Sequence, residues 1–162
     1  MNHIKTLALA AALSLATLAG TAHAQATVQA KDAWVRPTIG TQRTTGAFMT
    51  LTAGSDLKLV GASSPDARVV EVHEMAMEGD VMKMRAVPAL DLPSGKPVEL
   101  KPGGYHLMLI DVARPMKAGT TVTVDLEVED KDQKRSRINV KASVRPMAGM
   151  PAKEDHSKHM GH

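Results

Sequence analysis

Residues 121–128 read Thr-Val-Thr-Val-Asp-Leu-Glu-Val, a strict two-residue alternation that sets Val122, Val124, Leu126 and Val128 on one face. Successive strand side chains point to opposite faces, so such a stretch buries one side of a sheet and cannot serve as a helix. Shorter runs of the same kind cover 28–35, 46–52, 57–60, 68–77, 81–87, 105–112 and 137–144, with Gly and Pro between them. Beyond the first residues, nothing sustains a 3.6-residue period for three turns. Many short strands at this spacing predict an all-β domain, an antiparallel sandwich or barrel.

The two ends follow other rules. Lys5, an Ala/Leu run over 7–15 broken by Ser14, and Ala22-His23-Ala24 have the form of a secretory signal over residues 1–24, cleaved after Ala24. A membrane span is disfavoured, because about 20 apolar residues are needed and Thr17 and Thr21 interrupt the run. An Ala-rich signal of this bacterial type places the mature chain in the periplasm. The β-domain is expected over 25–146. From Met147 the alternation stops, and 147–162 reads as a disordered, His/Met-rich tail.

Composition narrows the chemistry. There are 11 Met and no Cys. That excludes disulfide scaffolds, thiolate zinc sites, cysteine nucleophiles and the Cys-containing blue-copper centre. Phe48, Trp34 and Tyr105 are the only aromatics, too few for base-stacking on single-stranded nucleic acid. A formal charge of +3 with mixed signs does not point to a polyanion either.

Attention then falls on the methionines. Met is a flexible core filler, and its thioether is also a soft metal ligand. In Tyr105-His106-Leu107-Met108-Leu109, alternation gives Leu107 and Leu109 to the core and sets His106 and Met108 together on a face expected at solvent or the sandwich rim. In the 73–84 segment, Glu78-Gly79 between two alternating runs reads as a hairpin loop, which would pair His73 with Met84 and Met75 with Met82. A three-residue turn would break that register. Two histidines, each near Met at strand-compatible spacing in a Cys-free exported chain, leave packing and soft-metal binding both open. If a metal is held, imidazole with thioether favours Cu(I) over Zn(II) or Mg(II). Such a site cannot be disabled by disulfide formation in an oxidising compartment.

His73, ten residues, Met84, twenty-one residues, then His106-Leu107-Met108 form an H-x10-M-x21-H-x-M pattern. In this the chain resembles the periplasmic copper chaperones of the PCuAC family. The likeness extends through Ala33-Trp34-Val35-Arg36-Pro37, Gly46-Ala47-Phe48-Met49-Thr50 and residues 104–129. The resemblance implies a cupredoxin-like β-sandwich and Cu(I) held by His73, Met84, His106 and Met108. It also implies copper delivery toward cytochrome c oxidase assembly, the partner being the oxidase copper-site subunit or another periplasmic copper chaperone. Met75 and Met82 fall outside that ligand set, as a secondary shell or docking surface, while Met49 and Met116 read as ordinary packing.

Met147, Met150, His156, His159, Met160 and His162 make a second cluster in the tail. His-rich tracts bind metal, and imidazoles beside Glu154 and Asp155 suit Cu(II) or a second copper. A monomer is expected, with copper-bridged association as the alternative. An enzyme is disfavoured: His73-Glu74 lacks the second His of H-E-x-x-H because Met77 stands there, and the expected mature N-terminus is Gln25 rather than the His of copper monooxygenases. Copper buffering or resistance without delivery would use the same ligands and remains the alternative function.

Overall fold

A computed structural model describes residues 27–146. The signal segment and the tail cluster therefore lie outside the described residues. Among the described residues ten strands run in chain order: β1 (Val28–Val35), β2 (Thr44–Ala53), β3 (Leu57–Ser64), β4 (Ala67–Glu78), β5 (Val81–Ala86), β6 (Leu90–Leu92), β7 (Pro97–Leu100), β8 (His106–Val112), β9 (Thr121–Asp130) and β10 (Arg135–Val144). Among the described residues no helix is long and apolar enough to cross a membrane.

The strands form one sheet in the order β5-β4-β8-β2-β1-β10-β9-β3-β6, and a further β4–β3 pairing closes it on itself. Every strand pairing is antiparallel except β1 with β10. The all-β expectation holds, with this one parallel pair inside an otherwise antiparallel barrel. Two strands escape the alternation rule. Leu90-Asp91-Leu92 is three residues long, and β7 opens on a proline and pairs with β2 only over Met49–Thr52.

The core confirms the period-two reading. Val122, Val124, Leu126 and Val128 are fully buried, as are Leu107 and Leu109 from β8. Met49 and Met116 are buried among the same apolar side chains, as packing methionines should be. This inward face leaves the outward face of β4, β8 and β2 free to carry other chemistry.

A bulge in β1 sets one edge of that outward face. Lys31 pairs with Thr50 but Trp34 pairs with Phe48, so β1 holds one extra residue between them. Asp32 takes φ of 53° there, a left-handed conformation that Asp tolerates better than most residues. The extra residue reverses the alternation. Without it Trp34 would turn inward with Val28 and Ala30. With it, Val35 enters the core and Trp34 lies on Phe48, ring centroids 4.5 Å apart.

Candidate metal centre

β4 and β8 lie side by side with His73 directly opposite His106. Their ring centroids are 6.0 Å apart. On the far side of His106, Phe48 stands 6.2 Å away and Trp34 beyond it. The result is a row of four rings across β1, β2, β8 and β4. Gly46 permits it: a Cβ there would sit 2.7 Å from Phe48 Cζ, so only glycine lets the ring lie across the strand. All three aromatics border this site, since Tyr105 immediately precedes His106.

The hairpin register corrects one expectation. The loop is Gly79-Asp80, not Glu78-Gly79, so Met84 pairs with Met75 and Met82 with Met77, while His73 faces Ala86. Gly79 has φ of 63° as the first loop residue, the position where a tight II′ hairpin turn places glycine. The displacement is two residues, an even number, so every side chain keeps its face. Met84 consequently still reaches the histidines, but it meets His106 instead of His73. Its Sδ lies 3.2 Å from His106 Nε2.

His106 is 6% exposed, buried rather than at a solvated rim. Its Nδ1–H donates to the Gly104 carbonyl at 3.0 Å, and the Met75 amide donates to the same oxygen. A carbonyl only accepts, so Nδ1 carries the proton and the Nε2 of neutral imidazole is a bare lone pair. In the neutral ring, Nε2 and the Met84 sulfur confront each other as two electron-pair donors. Such a pair is poised for a soft cation.

His73 is oriented by a residue the sequence reading passed over. Glu71 lies two positions earlier on the same face of β4, and its Oε2 is 2.8 Å from His73 Nε2. With Nε2–H donating to the carboxylate, Nδ1 keeps the lone pair, and this buried nitrogen has no hydrogen-bond partner among the described residues. A carboxylate behind one ring nitrogen, with the other left free, is the usual arrangement around a metal-ligating histidine. The two-residue spacing of Glu71 and His73 on one strand face was the available signal.

Met108 lies opposite Glu71 and Gly46. It lines a cleft of about 250 Å³ with Met75, Met84, His106, Phe48 and Arg36. Met84 is 48% exposed, while His73, with its side chain 14% exposed, is not among the residues that line the cleft. Among the described residues no three His, Asp or Glu side chains converge as a hard-ion site would require. The donors on offer are imidazole and thioether. The larger hollow of about 490 Å³ is lined by residues such as Asp56, Asp91 and Glu129, and no His or Met lines it.

Beside the cleft, Glu74 is paired with Arg85 across the hairpin and acts on Tyr105. Its hydrogen bond to the phenol, followed by partial burial and the carboxylate charge, holds the Tyr105 hydroxyl above the ordinary phenol range. The chain has a single Tyr, so absorbance at alkaline pH reads this group alone. Its midpoint should lie above that of free tyrosine and fall toward it in Glu74→Ala. A raised folded-state pKa means that the contribution to stability is present below the unfolded value and lost as pH rises through the folded one. An unshifted midpoint in the wild-type chain would count against the Glu74 contact.

Comparisons with known proteins bear on the family and the fold. The family described as “Putative lipoprotein LpqE-like” matches residues 28–144. “Uncharacterized protein RP573” of Rickettsia prowazekii is 32% identical over 123 residues, 72% of this chain and 68% of that one. “Putative lipoprotein Lxx21020” of Leifsonia xyli is 29% identical over 104 residues, and the match spans only 63% of its length. Among solved structures, Cu(I)-DR1885 from Deinococcus radiodurans is 35% identical with a TM-score of 0.57, over 78% of this chain and 85% of that one. The copper-bound PCuAC domain of PmoF2 has a TM-score of 0.60 at 22% identity, over 74% and 93% of the two chains, and shows the fold alone. The cupredoxin-like expectation is met.

Proposed function

The chain belongs to the LpqE-like family of PCuAC-type domains, and from that premise we propose that it is a periplasmic copper chaperone that carries Cu(I) on His73, Met84, His106 and Met108. The observation that supports this best is the bare Nε2 of His106 facing the Met84 sulfur at 3.2 Å. Neutral imidazole and thioether ligands stabilise Cu(I) without adding charge, and they compete weakly for Zn(II). They also let the ion pass to a site that offers thiolates. Glu71 is a positioning residue, holding the His73 ring so that Nδ1 is presented. Expected from this is a fall of about 10-fold in Cu(I) affinity in Glu71→Gln, within the range seen when a partner behind a ligand is changed. Competition against a Cu(I) chelator measures it, and an unchanged affinity would remove Glu71 from the site.

Delivery to cytochrome c oxidase is the finer part of this proposal. The reading assigns export to residues 1–24 and capture of Cu(II), or of a second copper, to Met147, Met150, His156, His159, Met160 and His162. Mixing the Cu(I)-loaded protein with the isolated copper domain of the oxidase tests delivery directly. The acceptor should load faster than it does from free chelated Cu(I). A chain that keeps its copper under those conditions is a buffer, the alternative reading.

A further inference from the structure

The β4–β5 hairpin has two unlike faces. On one, Glu74 pairs with Arg85 and Glu78 with Lys83, so that face carries ion pairs. The other begins at His73 and Ala86, continues with Met75 opposite Met84, and ends with Met77 opposite Met82. No polar side chain interrupts those two Met pairs. The outer pair does not pack a core: Met77 is 62% exposed and Met82 46% exposed.

We propose that Met75, Met77 and Met82 form a second position, of three thioethers, for a soft monovalent ion, Cu(I) or Ag(I), between the cleft and the hairpin tip. The choice of ion rests on the Cu(I) reading of the cleft, whereas the position itself rests on register. Directly opposed strand residues have Cβ atoms roughly 4.5–5.5 Å apart and diagonal neighbours roughly 7–8 Å. Met77 and Met82 are directly opposed, and Met75 is diagonal to Met82. Three unbranched, rotatable side chains on one face close that gap easily. Three neutral sulfurs form a soft site with no affinity for hard ions and no dependence on proton release. It binds more weakly than the cleft, because no imidazole contributes. Met75 also lines the cleft, so the two positions share a border and an ion can step between them.

The test is a titration of the chain, labelled with carbon-13 at the methionine methyls, with Ag(I) until no signal moves. The Met84 and Met108 methyls should shift first. Those of Met77 and Met82 should shift together in a later phase, accompanied by Met75. In the M77L/M82L double variant, which keeps the apolar volume, the first phase should persist and the later phase at Met75 should vanish. If the Met77 and Met82 signals stay fixed at saturation, or move only in step with Met84, the second position does not exist. If they move while Met84 and Met108 stay fixed, the second position stands and the cleft reading fails.

Discussion

His106→Ala is expected to lower Cu(I) affinity by at least about 100-fold, the upper end of what even indirect changes around a ligand cause. Nearly everything about this side chain serves its Nε2. Burial at 6% exposure fixes the ring, the Gly104 carbonyl fixes the tautomer, and the Met84 sulfur waits 3.2 Å away. His106→Ala also removes a buried ring, so a loss of stability of a few kcal/mol from the cavity adds to about 1 kcal/mol for the donor lost to a single carbonyl. That carbonyl retains the Met75 amide. Circular dichroism of the variant checks that the fold survives. Met84→Ala should cost less, about 10-fold, since a half-exposed thioether is a weaker donor on a less rigid arm. Chelator competition on the two variants beside the wild type reads both numbers. Affinities within threefold of wild type in both would dismantle the four-ligand site.

Leu126→Ala should destabilise the domain by roughly 2–5 kcal/mol, the range for removing a fully buried leucine from a close-packed interior. Leu126 has no exposed surface and is held between Ala62 of β3 and Ile138 of β10, so the barrel wall cannot collapse into the space. The urea midpoint should fall accordingly. Met77→Ala, by contrast, should leave it within about 0.5 kcal/mol, as for exposed positions generally. A large loss at Met77 would show that the outer methionines are structural. A small one at Leu126 would mean that the alternating face of β9 is not the core.

Alternation made most of the barrel legible, because a strand of eight to ten residues with one buried face has only one consistent reading. The same rule had too little to act on in Leu90-Asp91-Leu92 and was obscured by Pro97 in β7. The hairpin pairing turned on which loop position glycine takes, and Glu78-Gly79-Asp80 supplies two choices that differ by two residues. Because that difference is even, the candidate ligands stayed on the expected face even though the partner of Met84 changed. Burial of His106 was not legible, since it depends on Phe48 and Met84, both distant in the chain, as well as on the adjoining loop at Gly104. Trp34 was hidden for a sharper reason. Its place beside Phe48 follows from one left-handed residue, Asp32, which inverts the alternation within β1.

Among the described residues β5 is hydrogen-bonded to β4 alone, and none of its residues is buried. The closed wall of the barrel would be complete without it. The candidate donors are therefore divided between a frame and an arm: His73, His106 and Met108 belong to the former and Met84 to the latter. Holding time and durability then answer to different parts of the molecule. The arm can peel at the free energy of a local opening, far below that of global unfolding. Substitutions along β5 should thus retime cargo release while leaving the melting point in place, a separation that a carrier needs and a storage protein does not.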